Sequence, residues 1–153
     1  MAGLSLDGAV AQLGLHLMQV RGDVVILPDR DVERTAVLAG LGRQDVLVVF
    51  DYRRHEPDKV VTAEPARERG SKIVLLTDSW LSPVTNFADV VLPSRVAAAS
   101  PYDSMVPTLA AVETVLAGVL GQLGEKGRVH LEHSENVARR AGIQPADRRP
   151  DAP

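Results

Sequence analysis

Residues 48–58, "VVFDYRRHEPD", place an acid, a phenol, two guanidiniums and an imidazole directly after an apolar run. Such groups can hold an anion or move a proton. Arg53 and Arg54 offer planar, paired donors that match phosphate or carboxylate geometry. Pro57 is placed for the first turn of a helix, whose free amides and positive dipole end would add to an anion site. The competing reading is a solvated loop in which Arg53 and Arg54 pair with Asp51, Glu56 and Asp58, or act across a homodimer interface. Exposed pairs of that kind contribute about 0–1 kcal/mol.

Other polar residues stand where they could help. Thr77 and Ser82 flank a second strand end, and Ser104 stands near the start of a long helix. Loop hydrogen bonding and helix capping are their plainer roles. For proton abstraction only His55 and Glu113 come forward as bases, and neither sits in a catalytic motif, so no catalytic residue is assigned. His130 and His133 have helical spacing for a metal pair but lack a third ligand, so no metal site is assigned. There is no P-loop and no complete dinucleotide fingerprint, and no cofactor is expected.

The elements that must position these residues follow from periodicity. Residues 4–20 read as a helix, with Val10, Leu13, Leu17 and Val20 at three- and four-residue spacing, Asp7 in its first turn and Gly22 at its end. Residues 31–41 form a second helix stopped by Gly40 and Gly42. Residues 57–69 form a third, in which Pro65 predicts a kink or an early break. A long apolar helix is expected over 100–123, started by Ser100, Pro101 and Asp103. Between the helices stand four short apolar runs, at 23–27, 45–50, 71–77 and 89–93, which read as buried strands. Strands alternating with helices predict a three-layer α/β/α sandwich on a parallel sheet.

The composition bounds the rest. The 153 residues suit one domain; 45% are apolar, 24% charged and only 3% aromatic, so Val, Leu, Ile and Ala must build the core. The absence of cysteine excludes disulfides and thiolate metal sites. A formal charge of −3 does not favour a nucleic-acid-binding surface. No apolar run is read as spanning a bilayer and no signal peptide is read, so a cytoplasmic protein without a membrane partner is expected. Residues 124–153 are polar and end in a Pro- and Arg-rich stretch. They read as a C-terminal extension with a surface helix near 129–141 and a disordered tail.

The order "GLSLDGA", "DVLVVFD", "ERGSKIVLLTDSWLSPVTNFADVVLP" and then a helix beginning near "SPYDS" resembles the SIS (sugar isomerase) domain, most closely that of RpiR-type transcriptional regulators. Thr77, Ser82, Pro83, Ala88, Asp89, Val91 and Leu92 carry its most specific part. The resemblance covers residues 3–123, taken as an SIS-type domain, with 124–153 as the extension. It implies a flavodoxin-like strand order 2-1-3-4-5. Two features depart from the family. Only Gly3 and Ser5 remain of its opening "G-x-G-x-S" loop, so the first strand is expected to be missing or a stub near residues 2–6. Residues 51–57 replace the family's "S-x-S-G-x-T" phosphate cradle.

The resemblance implies a non-enzymatic domain that senses a small phosphorylated sugar or related anion and forms a homodimer or higher oligomer. It implies DNA contact only through a helix-turn-helix domain outside this chain. Ser5, Asp51, Arg53, Arg54, Thr77, Ser82 and Ser104 are its expected ligand-binding residues, with Asp51 accepting from sugar hydroxyls. A phosphosugar isomerase, or a degenerate domain kept for oligomerisation, are the alternatives.

Overall fold

Three of the apolar runs lie side by side as parallel strands: β1 (Val46–Asp51), β2 (Lys72–Thr77) and β3 (Val90–Pro93). The computed structural model describes residues 6–53, 55, 57–99 and 101–143. Its helices are α1 (Leu6–Val20), α2 (Asp31–Gly40), α3 (Pro57–Glu68), α4 (Val106–Leu123) and α5 (Glu125–Arg140), with a 3-10 turn at Pro83–Asn86. The β1–β2 register runs from Val46 opposite Lys72 to Asp51 opposite Thr77. The β2–β3 register ends with Thr77 opposite Pro93. All three strands therefore finish at one level, and their following loops share one rim.

Side-chain alternation sorts the strands onto two faces. Phe50, Tyr52 and Leu76 pack with Ala9 and Leu13 of α1 and Val112 and Leu116 of α4. Val49, Ile73 and Leu75 point the other way, against Ala63 of α3 and Val84 of the 3-10 turn. Helices thus cover both faces of a parallel sheet, which is the expected fold class. α5 leans on α1: a side chain at the buried Gly127 would stand 3.1 Å from Leu123 Cβ and 3.8 Å from the Val20 carbonyl.

Several expectations are corrected. Residues 23–27 form no strand. A strand needs an edge to pair with, and among the described residues none flanks β1 on the side away from β2. Ile26 packs on α1 instead, so close that a Cβ at Gly14 would lie 2.6 Å from Ile26 Cγ1. The expected stub near residues 2–6 lies outside the described residues apart from Leu6, which opens α1. Pro65 neither breaks nor ends α3. The carbonyl it deprives of a partner belongs to Val61, an exposed position where water can replace the bond.

The long helix starts at Val106, not near 100, with Pro107 in its first turn where a missing N–H costs nothing. Residues 101–105 form loop instead. That helix is also the one among the described residues that approaches bilayer-spanning length. α4 has 18 residues with a mean hydropathy of 1.5, and by length and composition alone it could cross a membrane. Thr108, Val112 and Leu116 are its buried residues, and the side turned away from them is open. The tail from residue 144 onward lies outside the described residues.

Asp89 of the family-like "AD-x-V-L" run sets where β3 begins. Its carboxylate accepts from the Ile73 amide at 2.9 Å and pairs with Lys72 at 2.9 Å and Arg67 at 3.2 Å. The bond from Lys72, then the Ile73 amide, lowers its pKa from 3.8 to about 2. A carboxyl depressed by folding stabilises above its unfolded pKa, and that contribution fades as pH falls through the folded value. D89N is therefore expected to unfold at lower urea than the parent at pH 6, with the gap closing between about pH 4 and pH 2. Equal midpoints at pH 6 would show that Asp89 does not pin this edge.

Candidate functional site

Buried polar residues are concentrated at one end of the sheet. Among the described residues they are Asp51, Ser71, Thr77, Asp78, Ser82, Ser94 and Thr108. All but Ser71 lie at the carboxyl ends of the strands, in the loops that follow, or in the first turn of α4. Burying a polar group without a partner costs roughly 1–3 kcal/mol, which is the weight behind the bonds that lace this end together.

Asp78 does most of that bonding. It follows the last residue of β2 and is 1% exposed. Its Oδ2 accepts the Arg53 amide at 2.7 Å, and its Oδ1 accepts the Trp80 amide at 2.9 Å. One carboxylate thereby ties the loop after β1 to the loop after β2. The Asx-type bond to Trp80 is what an Asp at a strand end commonly makes. Thr77 Oγ1 donates to the Asp51 carbonyl at 2.7 Å, and the Ser94 amide donates to the Thr77 carbonyl at 2.7 Å. The three strand ends are thus laced together.

The expected binding residues fall as follows. Asp51, Arg53, Thr77, Ser82 and Ser104 are described; Ser5 and Arg54 lie outside the described residues. Asp51, Arg53, Thr77 and Ser82 meet at the ends of β1 and β2. Ser82 Oγ accepts the Val84 amide at 3.0 Å and starts the 3-10 turn. Ser104 Oγ accepts the Val106 amide at 3.4 Å at the head of α4, and the Ser104 amide donates to the Val96 carbonyl. The Arg53 guanidinium pairs at 2.6 Å with Asp103, fifty residues on, rather than with its sequence neighbours. That bridge draws the loop before α4 over the end of β1.

The β1 loop is strained. Arg53 (φ 53°) and His55 (φ 44°) both sit in the left-handed region, which costs about 1–2 kcal/mol for a residue with a Cβ. His55 Nδ1 lies 3.5 Å from Asp51 Oδ2. Both His55 ring nitrogens, the Tyr52 hydroxyl and Thr108 Oγ1 are buried without a hydrogen-bond partner among the described residues. Glu113, the other candidate base, is exposed about two turns into α4. No group of three metal-ligating side chains occurs among the described residues.

Between the ends of β2 and β3 lies an open cleft of about 560 Å³, lined by Ser79, Pro93, Ser94, Arg95 and Ala97. Sequence reasoning singled out neither this cleft nor Asp78. For Asp78 a signal existed: an acid directly after a strand-ending Thr, in "LLTDS", is a common turn former. Asp103 was read only as a helix-start residue, and nothing local in the sequence pairs it with Arg53.

Comparison with known proteins places this geometry. The profile of the SIS domain family matches residues 1–118, and the chain belongs to that family. Its structure is similar to the sugar isomerase domain of an RpiR transcription factor from Sphaerobacter thermophilus. The TM-score is 0.71 at 27% identity, over 84% of this chain and 72% of the other. It is also similar to the Vibrio vulnificus NanR protein complexed with ManNAc-6P (TM-score 0.69, 18% identity), over 91% of this chain but 54% of NanR. A third similar structure is a candidate sugar-phosphate isomerase from Listeria monocytogenes (TM-score 0.63, 17% identity), over 79% of this chain and 66% of the other. At their identities, the last two speak for the fold alone. No curated protein matches the chain.

If Asp78 is the clamp of this rim, D78A leaves two part-buried amides without acceptors. The expected loss is about 2–4 kcal/mol of unfolding free energy, read from urea titration. A loss under about 0.5 kcal/mol would mean that the two loops hold their places without it.

Proposed function

We propose that the chain is the effector-sensing domain of an RpiR-type transcriptional regulator. In this reading it binds a sugar phosphate, or a related anionic carbohydrate derivative, at the carboxyl ends of β1, β2 and β3, and does not turn it over. The observation that carries the reading is that six of the seven buried polar residues described, Ser71 being the exception, gather at that end of the sheet, where Asp78, Thr77 and Ser94 bond its loops together. Open parallel sheets bind ligands outside the carboxyl ends of their strands. A preorganised polar rim there suits a ligand rich in hydroxyls. Asp51, Arg53, Thr77, Ser82 and Ser104 form its frame.

The 27% identity to an RpiR sugar isomerase domain supports the regulator over the enzyme. The sugar phosphate named with NanR supports the ligand class. DNA contact is assigned to a part of the regulator outside this chain, and a cytoplasmic location goes with that role. The open side of α4, with Val106 and Leu120 exposed, suits pairing with a second copy.

One observation favours the isomerase reading. His55 beside the buried Asp51 is an arrangement that can move a proton. Against it, neither residue belongs to a recognised catalytic motif, and the His55 ring nitrogens are enclosed.

Calorimetry and thermal unfolding of the chain with a panel of aldose and ketose phosphates separate the readings. A ligand at a hundred times its Kd stabilises the native state by about 2.7 kcal/mol. The expected result is such stabilisation by at least one sugar phosphate, recovered unchanged after prolonged incubation. Recovery of the isomeric sugar phosphate would establish the enzyme instead. No stabilisation by any member would leave oligomerisation as the domain's role.

A further inference from the structure

The rim has two described arginines, and they differ in one respect that decides which can take an anion. Arg53 is engaged: its guanidinium bonds Asp103 at 2.6 Å and its amide bonds Asp78. Arg95, two residues past β3, is exposed and has no carboxylate partner among the described residues. It lines the 560 Å³ cleft together with Ser79 and Ser94. A guanidinium beside two serines is a donor set for a phosphate or carboxylate.

The aromatic residues point to the same place. The chain has one Trp, two Tyr and two Phe. Phe50 and Tyr52 are buried, and Phe87 packs against the core. Trp80 and Tyr102 are instead 73% and 74% exposed, and both stand on loops of the carboxyl-end rim. Trp80 directly follows the cleft residue Ser79. Its position is not slack: Asp78 holds its amide, the next residue Leu81 takes a left-handed φ of 54°, and Ser82 is buried. A chain poor in aromatics thus holds its single indole in solvent on a fixed, strained turn beside a cationic cleft. An indole face is a fitting platform for the C–H face of a sugar ring, since it removes apolar surface of both from water.

We propose that the cleft between the ends of β2 and β3 is the ligand anchor: Arg95, with the Ser79 and Ser94 hydroxyls, takes the anionic group, and Trp80 takes the apolar face of the sugar ring. Arg53 is then a cross-tie between loops rather than an anion contact. This inference rests on the reading of the chain as a sugar-phosphate binder and specifies where and how it binds.

The single tryptophan makes the test direct, because intrinsic emission reports Trp80 alone. The probes are inorganic phosphate and the aldose and ketose phosphate panel, followed by emission and by calorimetry, with circular dichroism to check each variant's fold. A sugar phosphate is expected to shift Trp80 emission to the blue, whereas inorganic phosphate binds weakly without that shift. R95A is expected to weaken both at least tenfold, with partial recovery in R95K. W80A is expected to weaken the sugar phosphate severalfold and leave inorganic phosphate unchanged. R53A, which removes a cross-tie between loops, is expected to weaken either by less than R95A does.

A sugar phosphate that binds by calorimetry, yet leaves Trp80 emission unmoved and survives R95A, overturns the anchor while the sensing function stands. So does a loss confined to R53A. Emission that shifts with protein concentration rather than with ligand would assign Trp80 to a contact between copies and overturn the platform. No binding of any probe removes the anchor and the sensing function together.

Discussion

The buried carboxylate of Asp78 accepts two backbone amides from two different loops, and the shape of the whole strand-end rim depends on that. Parallel strands bring their carboxyl ends to one level, but they do not by themselves fix the loops that follow. Here one side chain, closed off from water, bonds Arg53 after β1 and Trp80 after β2. A carboxyl group buried this deeply needs hydrogen-bond partners, and both amides lie within its reach. The left-handed backbone of Arg53 and Leu81 is held by bonds to Asp78, from the Arg53 amide to its carboxylate and from the Leu81 amide to its carbonyl.

From that clamp the remaining features follow in order. Thr77 and Ser94 join β2 to β1 and β3, so the rim is continuous. The Arg53–Asp103 bridge then lays the loop before α4 across the end of β1. Because both partners are more than 40% exposed, that bridge is weak and sets position more than stability. Among the groups that project outward from this frame are Ser79, Trp80, Arg95 and Tyr102. The frame is polar and enclosed, while these four projecting groups are cationic, hydroxylic and aromatic, a donor and stacking set suited to a small polar ligand.

Much of the fold was legible in the sequence because it rests on local signals. The runs "VLVVF" and "KIVLL" are too apolar for anything but strands buried on two faces. Gly40 ends α2 and Pro57 begins α3 where turn chemistry puts them. The run at 23–27 carried the same local signal and yet forms no strand, because strand formation needs an edge, and an edge is not a local property. The start of α4 was misplaced for a related reason. Ser100, Pro101 and Asp103 are all good start residues, and Asp103 is drawn to Arg53 instead. The site was legible as a place, the ends of the strands, but not as a set of partners. Nothing within five residues of Arg53 announces Asp103, and Arg95 gains meaning only once β2 and β3 lie side by side.

The central question is whether the strand-end rim is where the ligand sits. Amide hydrogen exchange of the chain, with and without a saturating sugar phosphate, tests this residue by residue. Binding at the rim should add protection in 51–55, 78–82 and 94–105, with α2 and α5 unchanged. Added protection confined to α2 or α5, with the rim amides exchanging as before, would contradict it.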